Sequence, residues 1–199
     1  LPLLYGGGEA VHPWLGMALS ETGAGLEVLY TMPGGPAAKA GIAVGDVLAA
    51  VDGRNVASLR DAQDALLSLA PSTLVKLDVR RGQAARAVIA CLEPRPAEPV
   101  EAALERDAKV PVLYPLFGML LERTGSLLGR SSYLVRRIVR GSVADEAGLS
   151  VDDPLVVQDW AVDEEKGYAT IQIVVKKKKA GFIESVIQVS AWLATDNFL

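Results

Sequence analysis

The chain has 199 residues, half of them hydrophobic, enough to fill the core of one medium domain or of two small ones. Its formal charge of -4 and its low aromatic content (6%) exclude a general nucleic-acid surface, which needs a basic excess to displace counterions from phosphates. No run of about 18 apolar residues is present, so no transmembrane segment is expected.

Residues 1–11 read as a linker from an upstream region. The chain opens without an initiator Met or signal peptide and is expected to be a piece of a longer protein. The "GGG" at 6–8 lacks the Lys-Ser/Thr and the strand-loop-helix setting of a phosphate cradle, and reads as flexible linker. His12, the only histidine, reads as a solvated turn residue beside Pro13.

Next, "WLGMAL" reads as a short strand approached through a glycine turn, and "LEVLYTM" as a second strand. "GGPAAKAG" carries the marks of a one- to two-turn helix, with Pro36 near its start and Gly41 as its stop. "GDVLAAVDGRNV" alternates as a strand and closes on an Asp52-Gly53 turn. Ser58 with Asp61 makes a capping-box-like start, and Leu59, Ala62, Leu66 and Leu69 fall at helical spacing, predicting a helix over 59–69 that stops before Pro71. "TLVKLDVRRG" and "ARAVIACLE" form a closing pair of strands, in which Cys91 is expected as a buried, inert thiol.

The chain then repeats itself. "PWLGMALSETG" at 13–23 returns as "PLFGMLLERTG" at 115–125. Gly34, Ala37, Ala40, Gly41, Val44, Asp46 and Leu48 return as Gly141, Ala144, Ala147, Gly148, Val151, Asp153 and Leu155. Two blocks recurring in the same order describe a duplicated domain. The reading gives a first domain over 12–93, a proline-bearing linker with a short central helix over 94–111, and a second domain over 112–199. After its repeated blocks the second copy departs: "VVQDWAVDEEKGYATIQIVVKKKKAGFIESVIQVSAWL" predicts a strand, a charged turn and two long strands joined at Ala180-Gly181. It leaves no room for an amphipathic helix between Trp160 and Tyr168.

The order of these blocks resembles the tandem PDZ domains of bacterial HtrA-like serine proteases, which have a trypsin fold in their catalytic part. The resemblance implies an α+β, mostly β fold: two PDZ-like, partly open β-barrels or sandwiches, each with one or two short helices, the second divergent with a long C-terminal hairpin. It implies that the chain is a regulatory or substrate-presenting region binding C-terminal or apolar peptide segments for an upstream serine endopeptidase domain, in the periplasm or cell envelope. The resemblance places the carboxylate-binding loop at Leu15, Gly16 and Met17, peptide pairing along Met17, Ala18 and Leu19, and the groove helix at Ala62 and Leu66. Convergent backbone N–H groups at a glycine turn suit a carboxylate, and a strand edge suits an extended peptide. Such a pocket favours an apolar terminal residue. Phe117, Gly118 and Met119 form the candidate second site, but the missing helix removes one wall of its groove.

This fragment is not expected to be an enzyme. One His and one Cys assemble neither a hydrolytic triad nor a zinc site, and no metal or cofactor is implied. The expected partners are peptides or unfolded protein segments, the upstream protease domain and further copies of the chain. The competing readings are a non-enzymatic PDZ scaffold for envelope assembly or secretion, and the PDZ region of a membrane metalloprotease. Lys176–Lys179 read as protection of an exposed strand, with contact to an anionic membrane surface or an acidic partner as the functional rival. The final "TDNFL" ends on an apolar residue, which makes it a candidate ligand for the first groove of its own or a neighbouring copy.

Overall fold

The computed structural model describes residues 11–107, 109–127, 130–163, 166–178, 182–193 and 197–199. The first copy begins with β1 (Pro13–Trp14), β2 (Met17–Thr22) and β3 (Gly25–Thr31), followed by α1 (Pro36–Lys39), β4 (Val47–Val51) and β5 (Arg54–Asn55). It continues with α2 (Leu59–Leu67), β6 (Leu74–Arg81), β7 (Ala84–Cys91) and β8 (Glu93–Pro94). Its main sheet runs in the order β2-β3-β4-β6-β7, with β5 paired to β4 and β1 paired separately to β8. This order leaves β2 at a sheet edge.

The local chemistry explains these elements. Asp52 and Gly53 both take positive φ, as the tight β4–β5 turn requires. The capping box forms in full: the Asp61 N–H donates to Ser58 Oγ at 3.1 Å and the Ser58 N–H to Asp61 Oδ2 at 3.0 Å. The helix ends at Leu67 rather than Leu69, because the Ser68 hydroxyl donates to the Ala65 carbonyl and the Leu69 N–H turns back to Leu66. Cys91 departs from expectation. Ala90 takes the buried position in β7, so strand alternation turns the Cys91 side chain to solvent.

The stretch expected to be a linker is packed. It holds α3 (Pro99–Arg106), with Val100 and Ala103 buried, and the start of α4 (Lys109–Phe117). The second copy follows with β9 (Met119–Leu127), β10 (Arg130–Ile138), α5 (Val143–Glu146), β11 (Pro154–Asp163), β12 (Tyr168–Lys178) and β13 (Phe182–Trp192). These strands form an antiparallel meander in the order β13-β12-β11-β10-β9. The long hairpin is present as β12 and β13, paired from Tyr168↔Trp192 to Lys178↔Phe182. Its Ala180-Gly181 turn, the side chains of Lys176–Lys179 and the "GGG" at 6–8 lie outside the described residues.

The duplication is visible in atomic detail. Asp46 accepts the Ala43 N–H at 3.0 Å and Asp153 accepts the Ser150 N–H at 2.9 Å. Ile42 and Leu149 each donate back to the alanine five residues earlier, Ala37 and Ala144. Two apolar clusters hold the molecule together. One fills the first copy; the other joins Trp14, Ala18, Tyr30 and Met32 of the first copy to α3, α4 and the second sheet. At this junction Arg137 donates to both carboxylate oxygens of buried Glu27, with Nη2 at 2.7 Å from Oε2.

Candidate peptide groove

The groove lies between β2 and α2, and its mouth is shaped by the loop at Leu15-Gly16. The Leu15 carbonyl accepts the Ala37 N–H and the Gly16 carbonyl accepts the Met32 N–H, both at 2.8 Å. In a trans peptide the C=O and N–H point in opposite directions. Committing those two carbonyls inward therefore aims the Gly16 and Met17 N–H groups at the groove. Gly16 holds this turn at φ +69, a region open to glycine at little cost.

The opposite wall is set by α2, and the far end of the groove is tied by a residue the sequence reading did not single out. Glu21, near the end of β2, accepts the Leu59 N–H with Oε1 at 2.9 Å and so joins the edge strand to the first turn of α2. A carboxylate at a helix N-terminus is favoured by the orphan N–H groups and the helix dipole. The hydrogen bonds from the Ala57 N–H and from Ser58 hold the Asp61 carboxyl below its ordinary value, so the cap is ionised at neutral pH.

Beside α2 lies a pocket of about 350 Å³, lined by His12, Pro13, Gln63, Leu66, Leu67, Arg95 and Leu199. Leu66 lines this pocket, while Ala62 faces the core beneath it and is fully buried. Gln63 and Leu67 line the pocket instead. They sit one position further around the helix than the apolar stripe, which records the face turned to the core and not the face turned to a ligand. Leu15, Met17 and Leu19 contribute their side chains to the first copy's core cluster, whereas Ala18 points the other way into the shared cluster. His12 is exposed and its carbonyl accepts the Arg95 N–H at 2.9 Å.

The chain's last residues lie in this groove. The Leu199 N–H donates to the Met17 carbonyl at 2.8 Å, the Met17 N–H donates to the Leu199 carbonyl at 3.1 Å, and Phe198 forms an antiparallel bridge with Ala18.

The corresponding place in the second copy is built differently. Where the first copy has β1 and an open loop, the second has α4, whose last turn consumes the Gly118 N–H on the Tyr114 carbonyl at 2.9 Å. Phe117 and Met119 are buried in the shared cluster. Gly118 takes φ +76, and a Cβ built on it would overlap Ser142 Cβ and Oγ, so Ser142 sits directly against the loop. Within the described residues, β11 passes to β12 with no helix between them. Phe117, Gly118 and Met119 are brought together without a free loop amide at Gly118 and, among the described residues, without a helix between β11 and β12 to face them.

Residues 13–90 match the PDZ domain family, and residues 100–193 match the TP0546 family PDZ domain. The chain is 26% identical over 132 residues to the periplasmic pH-dependent serine endoprotease DegQ of Escherichia coli (strain K12), a match covering 66% of this chain and 28% of DegQ. Among solved structures it is similar to a serine endoprotease from Yersinia pestis, at 24% identity and a TM-score of 0.39, covering 43% of this chain and 30% of that one. It is also similar to the HtrA3 PDZ domain bound to a phage-derived ligand (FGRWV), at 24% identity and a TM-score of 0.37, covering 41% of this chain and 85% of that one. The chain therefore spans under a third of the length of its curated relative DegQ. Among the described residues, no helix is long and apolar enough to cross a membrane and no group of side chains is arranged to hold a metal ion.

Proposed function

The chain is a tandem of two PDZ domains related to those of HtrA-type serine proteases, and from that premise we propose that its first domain, taken as residues 12–93, binds peptide segments with an apolar end by adding them as a strand to β2. The observation that carries this reading is the edge position of β2 beside a loop whose Gly16 and Met17 N–H groups face the groove. Leu15, Gly16 and Met17 receive the carboxylate, Met17 to Leu19 pair with the peptide backbone, and Leu66, Leu67 and Gln63 form the side-chain wall. The second domain, taken as residues 112–199, serves as a structural partner that braces the first through α4 and the Glu27–Arg137 pair.

In the whole protein, this region presents substrates, or reports their presence, to an upstream trypsin-fold serine protease domain. That DegQ is a periplasmic endoprotease supports a periplasmic setting for that activity. The upstream part is tested by sequence: a His, Asp and Gly-Asn-Ser-Gly-Gly order preceding Leu1 is the expected result, and any other catalytic order contradicts it.

Peptide binding is tested by calorimetric titration with Leu-ended peptides as free acids and as C-terminal amides. The free acid is expected to bind at least about tenfold more tightly, because the amide loses the charge that the loop N–H groups receive. Equal affinities remove the carboxylate assignment. Leu67→Asp places a charge on an exposed groove residue and is expected to weaken binding by at least about tenfold while leaving the circular dichroism spectrum unchanged. Unaltered affinity would move the groove elsewhere.

A further inference from the structure

The groove that accepts a peptide already holds one. Leu199 pairs through both its N–H and its carbonyl with Met17, and the Ala18↔Phe198 bridge makes the tail an antiparallel strand on the free edge of β2. Strand alternation then sends successive side chains in opposite directions. Leu199, 6% exposed, enters the first domain's cluster with Leu15, Met17, Leu19 and Leu66. Phe198, 1% exposed, enters the shared cluster, with its ring 6.2 Å from that of Tyr30 and tilted by 51°.

We propose that Asn197–Leu199 is a ligand held in cis in the first PDZ groove, and that a peptide arriving in trans must displace it and thereby withdraw Phe198 from the contact between the two domains. This rests on the assignment of the groove as the peptide site. The tail has the register that a bound strand requires, and its two side chains are matched to the two apolar clusters on either side of β2. Among the described residues Phe198 and Leu199 engage β2, and a 350 Å³ pocket lies beside Leu199 along α2. A peptide that fills this pocket as well as pairing with β2 makes contacts that Leu199 leaves unused, and so can outcompete the tail. Because the tail follows β13 of the second domain, peptide capture at the first domain is coupled to the packing of the second.

The test compares chain 1–199 with a variant lacking Asn197–Leu199 and with Leu199→Asp, using a fluorescein-labelled TDNFL peptide as the probe. A tethered competitor acts at an effective concentration in the millimolar range, which lowers the apparent affinity for a free ligand by the fraction of time the groove is occupied. Both variants are expected to bind the probe about tenfold more tightly than the intact chain, and circular dichroism reports whether each remains folded. Equal affinities in intact and altered chains overturn the proposal while leaving the groove assignment standing. Failure of all three chains to bind the probe overturns both. Sedimentation provides the remaining check: a dimer that becomes monomeric on removal of the tail would show docking between copies and overturn the arrangement in cis.

Discussion

The two PDZ domains begin from nearly the same words and end with different machinery. Around Gly34–Leu48 and Gly141–Leu155 the backbone bonds repeat almost one for one, so the short helix and the strand after it survive duplication. At Gly16 and Gly118 they diverge. One glycine turns an open loop whose N–H groups face a groove; the other closes a helix that uses its N–H and rests against Ser142. The wall helix α2 has no counterpart between β11 and β12 among the described residues. A groove needs unsatisfied donors at its mouth and a second wall, and duplication of the sequence motif conserves neither by itself.

The sharpest way to break this comparison is to substitute the two glycines. Gly118→Ala forces a methyl into Ser142 as well as imposing an unfavourable φ, and is expected to destabilise the second domain by about 3 kcal/mol or more. Gly16→Ala meets only ordinary contacts, the nearest at 3.5 Å, and is expected to cost about 1–2 kcal/mol from its φ of +69. Chemical denaturation of both variants checks the order. Equal costs would mean that the two loops are alike in solution.

The repeated aspartates sharpen the contrast further. Burial by itself raises the Asp46 carboxyl, but hydrogen bonds from Arg81 and the Ala43 N–H, with the charges of Arg81 and Arg86, hold it below its ordinary value. A carboxyl lowered on folding adds stability above the unfolded value near pH 4, and that contribution is lost as pH falls through the lower, folded value. Arg81→Ala is expected to move the acid-unfolding midpoint of the first domain upward. Asp46→Ala is expected to cost about 2 kcal/mol, more than Asp153→Ala, because Asp46 is fully buried against a two-pronged arginine whereas Asp153 is half-buried. A smaller effect is expected for Ser58→Ala, which removes one side of the α2 capping box and costs about 1 kcal/mol, measured as a lowered denaturation midpoint.

Much of the first domain was legible in the sequence because its signals are local. Ser58 and Asp61 announce their helix, Asp52-Gly53 its turn, and the paired glycines the duplication. What escaped depends on tertiary packing. Pro111 falls in the stretch read as a linker, yet α4 forms around it and around Pro115 because Val112, Leu113, Tyr114, Leu116 and Phe117 are all buried. The Glu21 contact to Leu59 joins residues distant in sequence and has no local signature. Gln63 and Leu67 line the groove from positions that a core-facing stripe does not report. Cys91 sits on the outer face of β7, which its apolar neighbours do not reveal.

The central claim, that only the first domain captures a peptide, is tested most directly by following backbone amide resonances while a Leu-ended free-acid peptide is titrated into the chain lacking Asn197–Leu199. The account predicts saturable shifts at Gly16–Leu19 and Gln63–Leu67, with Gly118–Leu121 unmoved. Saturable shifts at Gly118–Leu121, alone or together with those at Gly16–Leu19, would contradict it.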